Sequence, residues 1–154
     1  MNIKKIAQKQ YRQIINKATQ GTQFLDELPE GWITSVRKSL GMSVAQLASI
    51  TGVTRASISK VEKAETQGAV TLKKMQSMAQ AMGCEFVYAI VPNENIESII
   101  LKQAQDKVKS QITLESTHMA LEAQALSQAQ LNTQFKRRVE ELINDMPYDF
   151  WENK

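Results

Sequence analysis

Residues 43–62 read SVAQLASITGVTRASISKVE. Ser43 and Gln46 stand at the S-x-x-Q spacing of a capping box, which satisfies two of the free N–H groups that open a helix. A short helix carrying Leu47, Ala48 and Ile50 is predicted to follow. Gly52 comes next and tolerates the left-handed backbone that a sharp turn needs. Val53 is apolar and is expected to plug the angle between two helices. Thr54 has the hydroxyl to cap a second helix. On that helix Ile58 and Val61, three apart, are expected to face inward. Arg55, Ala56, Ser59, Lys60 and Lys63 fall away from that stripe. The small Ala48 lets two steeply crossing helices approach closely.

Two short helices joined in this way form a helix-turn-helix, whose second helix can enter the major groove of duplex DNA. The flanks fit. GWITSVRKSLG at 31–41 reads as a preceding helix with Trp32, Ile33, Val36 and Leu40 on one stripe and Gly41 as terminator. Thr71 is expected to cap a following helix with Leu72, Met75, Met78, Ala79 and Met82 inward, ended by Gly83. Segment 31–83 holds seven basic residues (Arg37, Lys38, Arg55, Lys60, Lys63, Lys73, Lys74) against Glu62 and Glu65, a net charge of +5, while the whole chain carries +3. The positive charge is concentrated where phosphates would lie.

The pattern R-x-x-x-G-x-S-x-x-x-L-A-x-x-x-G-V-T-x-x-x-I-S-x-x-E, from Arg37 to Glu62, resembles the Xre/Cro-type repressors. Most of residues 20–154 resembles a narrower family, mobile mystery protein A. That likeness rests on GWITSVRKSLGMSVAQLA, the Lys63-Ala64-Glu65 after the second helix, CEFVYAIVPN and HMALEAQ. It implies an antitoxin-like regulator, usually encoded beside a protein with a Fic domain. It also implies that Arg37 and Glu62 pair across the domain, a contact whose breakage could cost on the order of 3–5 kcal/mol. Arg55, Ala56 and Lys60 match base-facing positions, and Ser59 is a further base-reading candidate. Arg55 suits a guanine through a bidentate contact, and Ala56 a thymine methyl; holding phosphate is the plainer role for Arg55. Ser43, Thr54, Ser57 and Lys63 suit phosphate contacts, which fix register without reading sequence. Two residues depart from the family pattern: Val44 stands where Gln is usual, and Thr51 where an aliphatic residue is usual. Ile50 is expected to supply the missing apolar bulk.

These readings give an all-α fold: an N-terminal helical arm and linker (1–28), a helix-turn-helix domain with a terminal strand (29–92) and a helical C-terminal region for dimerisation or partner binding (93–154). In the arm, Ile3, Ile6, Ile14 and Ala18 follow helical spacing, with Lys4, Lys5, Lys9, Arg12 and Lys17 on the remaining surface. It could dock on the core with a solvated basic face, or add phosphate contacts or dimer surface. Glu85–Pro92 reads as the one strand, β-branched and aromatic. A lone strand leaves its ladder unpaired, so pairing with the same strand of a second subunit is expected. That homodimer would set two recognition helices about 34 Å apart on a palindromic operator.

Residues 93–110 and Thr113 onward read as two helices, the second running through Leu114, His118, Leu121, Ala125, Phe135, Val139, Leu142 and Met146. His118 is expected to pack rather than bind metal, because no ligand companion stands at the right spacing. Tyr148, Phe150 and Trp151 cluster behind Pro147 in an acidic tail, which either folds back or forms a partner-binding hot spot.

No Gly-rich phosphate loop, Walker pattern or G-x-S-x-G appears, and there is one histidine, so neither catalysis nor a cofactor is expected. No Glu has Ser or Thr four residues before it, so the [S/T]-x-x-x-E-[G/N] device that holds off Fic enzymes is missing. There is no apolar run of transmembrane length and no apolar signal segment, so no membrane partner is expected. One cysteine, Cys84, suits a reducing cytosol. The function expected is a sequence-specific, dimeric autorepressor in a bacterial cytoplasm. The alternatives are a partner-binding inhibitor of a toxin-like protein with secondary DNA binding, or a plain phage-type repressor.

Overall fold

The computed structural model describes residues 2–23, 25–121 and 127–152, with the side chains of 116–121 outside that description. Its helices are α1 (Ile3–Thr22), α2 (Trp32–Ser39), α3 (Val44–Thr51), α4 (Arg55–Thr66), α5 (Leu72–Ala81), α6 (Ile96–Leu121) and α7 (Gln128–Asp145). Two compact units form: Phe24–Ala89 holds α2–α5, while Met1–Gln23 joins Ile90–Lys154 and holds α1, α6 and α7.

In the α2–α5 unit, three hydroxyls start three helices. Ser43, Thr54 and Thr71 lie in extended backbone and accept from the N–H groups of Gln46, Ser57 and Lys74, each at 3.1 Å. Each such cap contributes about 1 kcal/mol. The Gln46 side chain returns to the Ser43 N–H at 2.8 Å, completing the box. Gly52 ends α3 at φ 69°, where any other residue would be strained. The helices close on Ile33, Leu47, Ala48, Ile58, Met75, Met78 and Met82. The buried face of α2 differs from the expected stripe: Ile33, Thr34 and Arg37 are buried, whereas Trp32 and Leu40 are exposed. The ion pair of Arg37, described below, turns that helix. Leu72, Val53 and Ile50 are also exposed, so Ile50 does not fill in for an aliphatic at position 51. Thr51 instead turns its hydroxyl back to the Leu47 carbonyl at 2.8 Å.

The strand expected at 85–92 is not present. No strand occurs among the described residues, and 84–92 take no regular secondary structure. A strand needs a partner ladder, and no other described segment offers one.

In the other unit, Ile100, Ala104 and Val108, one turn apart on α6, bury against Val139 of α7 and Phe150 of the tail. One helix spans the break expected near 110–113. Neither Gly nor Pro stands there, and the hydroxyls of Ser110 and Thr113 bond backward to Asp106 and Lys109 (3.1 and 2.8 Å) instead of capping a new helix. The next helix begins at Ser127, whose capping box with Gln130 is complete. The side chain of His118 and residues 122–126, including Ala125, lie outside the described residues.

α1 packs on α6 and buries none of its side chains. Its Asn16 accepts from the Ile96 N–H at 2.9 Å, at the start of α6, and donates to Glu97 at 2.8 Å. Glu97 is held below the usual carboxylate range, first by its backbone hydrogen bond and then by Asn16. The stabilisation this gives is present at neutral pH and is lost as pH falls through that lowered value.

Candidate nucleic-acid interface

The interface is built on α4. Ile58 is wholly buried and fixes the rotation of the helix, so Arg55, Ala56, Ser59, Lys60 and Lys63 all face solvent. Ala56, Lys60 and Lys63 follow the i, i+4, i+7 spacing of one face, and Arg55 and Ser59 line it one residue earlier. At the start of the helix the Thr54 and Ser57 hydroxyls lie 2.9 Å apart and share one proton between them. One hydroxyl proton of that pair, and that of Ser43 at the start of α3, are left for an outside acceptor. Ser43 uses its oxygen lone pair on Gln46 N–H and keeps its proton.

Both carboxylates of α4, Glu62 and Glu65, are turned away from that face. Glu62 takes Arg37 in a fork, Oε1 from Nε at 2.6 Å and Oε2 from Nη2 at 3.2 Å. Both side chains are largely buried, and a third guanidinium N–H reaches the Met42 carbonyl at 3.0 Å. Glu65, one turn on, accepts from the backbone N–H groups of Trp32 and Ile33 at 2.6 and 2.9 Å. It thus caps α2, whose own N-cap residue, Gly31, has no side chain to do so. Gly31 has φ 83°, which favours glycine, and a Cβ there would come within 2.9 Å of the Glu65 carboxylate and push aside the cap it gives α2. Glu30 pairs with Lys38 at 2.8 Å.

Arg55, Lys60, Lys63, Lys73 and Lys74 make no ion pair among the described residues. α4 therefore puts its negative charge against α2 and its positive charge into solvent. Lys60, Lys73 and Lys74 also share a shallow groove with Thr71 and Ser77, between α4 and α5. This groove and the Glu65 cap went unrecognised in the sequence. The Lys73-Lys74 pair directly after the Thr71 cap was a readable sign of the groove; nothing local marks Glu65.

Val44, one of the two departures from the family pattern, packs partly buried against the core. In the acidic tail, Phe150 is wholly buried and cannot serve as a partner-binding anchor, because the tail folds back onto α6 and α7. Tyr148 and Trp151 remain at the surface, 96% and 54% exposed. Among the described residues no cluster of His, Cys, Asp or Glu could hold a metal, and no helix is long and apolar enough to cross a membrane.

Residues 33–88 match the helix-turn-helix family. The match supports a DNA-binding domain of the Xre type, the kind found in transcription regulators, and it runs from Ile33 in α2 through α5 into the irregular segment after it. No curated protein and no solved structure matches the chain.

Proposed function

We propose that this protein is a sequence-specific repressor that binds a palindromic operator as a two-fold dimer and controls its own operon. In this reading it is an antitoxin-like member of the mobile mystery protein A family, with a Fic-domain protein encoded alongside. The observation that carries the DNA-binding part is the sorting of charge on α4: both carboxylates are spent inside the domain, and every cation is left outside. Arg55, Ala56, Ser59 and Lys60 would read base edges. Ser43, Thr54, Ser57 and Lys63, with Lys73 and Lys74 in the adjoining groove, would hold phosphates. The resemblance supplies the antitoxin role and the Fic partner, and an inverted repeat upstream with a Fic-domain gene downstream would support both.

Titration of the gene's own upstream duplex against random duplex tests the reading. Arg55→Ala is expected to cost about 1–3 kcal/mol on the operator and to relax preference at one base pair. Lys63→Ala is expected to weaken both duplexes alike and to flatten the salt dependence by about one unit. Equal losses on both duplexes for Arg55→Ala would remove it as a base reader. Failure of the wild-type chain to bind any duplex at low salt would end the proposal.

A second reading, partner binding as the main role, is favoured by one observation. Tyr148 and Trp151 stand exposed on a tail segment with Asp149 and Glu152. Binding of the Fic-domain protein that is lost in Tyr148→Ala, with operator affinity intact, would establish that role.

A further inference from the structure

An apolar hollow of about 230 Å³ belongs wholly to the α2–α5 unit, because every residue lining it falls between Leu25 and Val87. Trp32 and Phe86 bring two aromatic rings to its wall. Trp32 is 49% exposed although the next residue, Ile33, is in the core. Phe86 is braced by Tyr88, with ring centroids 5.7 Å apart. Met75 and Met82 add two thioethers, which make favourable contacts with aromatic rings. Glu85 is the only charged residue lining the hollow, and its carboxylate makes no ion pair or hydrogen bond among the described residues. The chain's single cysteine, Cys84, also lines it and is exposed. An apolar cavity of about 150 Å³ holds benzene, so in proportion about nine heavy atoms fit here, the size of one fused two-ring aromatic. An apolar wall with a lone carboxylate disfavours anions and strongly polar molecules and favours a flat ring that carries a positive charge.

We propose that this hollow binds a small planar aromatic cation, an arylalkylamine with a fused two-ring body. The ring seats among Trp32, Phe86, Met75 and Met82, and the ammonium pairs with Glu85. The carboxylate sets the sign of the ligand's charge, and the aromatic and thioether wall sets its flatness. Cys84 is covered when the seat is filled. On α5, Met75 and Ala79 line this hollow, whereas Lys73, Lys74 and Ser77 line the basic groove beside α4. The two sites thus use opposite faces of one helix, and a molecule in the hollow does not meet phosphates held in the groove.

Tryptamine, indole and indole-3-acetate carry the same ring with a positive, no and a negative charge. Calorimetric titration of the full chain with each therefore reads ring and charge apart. Tryptamine is expected to bind most tightly and indole-3-acetate least. Glu85→Gln, at an exposed position, is expected to weaken tryptamine about two- to fivefold, the range of a solvent-exposed ion pair, and to leave indole unchanged. Glu85→Lys is expected to reverse the order of tryptamine and indole-3-acetate. Saturating tryptamine is expected to slow alkylation of Cys84 by iodoacetamide several-fold, which places the ring in this hollow. No binding of tryptamine, equal affinity for the three probes, an unchanged tryptamine affinity in Glu85→Gln, or a Cys84 alkylated equally fast with and without tryptamine overturns the proposal. Protection of Cys84 that grows with protein concentration in the absence of any probe also overturns it, since a second copy would then be the occupant. Duplex titration of the same samples separates this site from the functional reading. Tryptamine bound by a chain that binds no duplex sinks only the operator reading, and the reverse result sinks only the small-molecule site.

Discussion

Glu62→Ala is expected to destabilise the helix-turn-helix unit by about 3–5 kcal/mol, the cost of leaving a buried guanidinium without its carboxylate. Arg37 donates three hydrogen bonds, two to Glu62 and one to the Met42 carbonyl, and its side chain is nearly out of solvent. Removing Glu62 strands two of those donors and a full charge. Replacing both partners by apolar residues of similar volume, Arg37→Met with Glu62→Met, is expected to recover most of the loss, because it removes the charges along with the need to pair them. Lys38→Ala supplies the contrast. Its pair with Glu30 is nearly as short, at 2.8 Å against 2.6 Å, but both side chains are more than half exposed, so its loss is expected to cost less than about 1 kcal/mol. Urea unfolding followed by Trp32 fluorescence in a Trp151→Phe background reports this unit separately, since the two tryptophans lie in different units. A loss below about 1 kcal/mol for Glu62→Ala would show that water reaches the pair.

The same pair explains which parts of the unit were readable. Ser43, Gln46, Gly52, Thr54 and Thr71 act on backbone within four residues, so their spacing alone located the starts of α3, α4 and α5 and the turn between α3 and α4. Ile58, Leu47 and Ala48 followed from helical period. The face of α2 did not follow from period. The apolar stripe through Trp32 and Leu40 competes with Arg37, and the ion pair decides in favour of Arg37 from 25 residues away. The cap that Glu65 gives α2 is equally remote, 33 residues from Trp32. Of the candidate site, the outward residues of α4 were legible because one buried position, Ile58, fixes them all. The Lys60/Lys73/Lys74 groove was missed because it arises only where α4 and α5 meet. The segment 85–92 has the composition of a strand, but composition cannot supply a pairing partner within this chain. The Ser127–Gln130 box, by contrast, was as legible as Ser43–Gln46 and marks a helix start that apolar spacing alone ran through.

Phe150→Ala is expected to cost the α1, α6 and α7 unit about 3–5 kcal/mol, the range for emptying a large aromatic site in a core. Phe150 is wholly buried against Ile100, Ala104, Val108 and Val139. Its backbone is clamped as well: Gln103 donates to the Phe150 carbonyl at 2.8 Å, and Lys107 donates to the Asp149 carbonyl. The chain reaches that position through Met146, whose left-handed backbone at φ 41° ends α7 and turns the tail back. Tyr148, two residues away, is almost fully exposed, and Tyr148→Ala is expected to shift stability by less than about 0.5 kcal/mol. Trp151 lies edge-on to Phe150 with ring centroids 5.0 Å apart, so its fluorescence in a Trp32→Phe background reports the loss directly. Deletion of 147–154 removes the same ring and is expected to lower the melting temperature as Phe150→Ala does. It therefore cannot by itself distinguish partner binding from packing, whereas the point change at Tyr148 can, because only Tyr148 leaves the core filled. A stable Phe150→Ala variant would mean that the tail leaves its seat in solution, and all three aromatics would then be open to a partner.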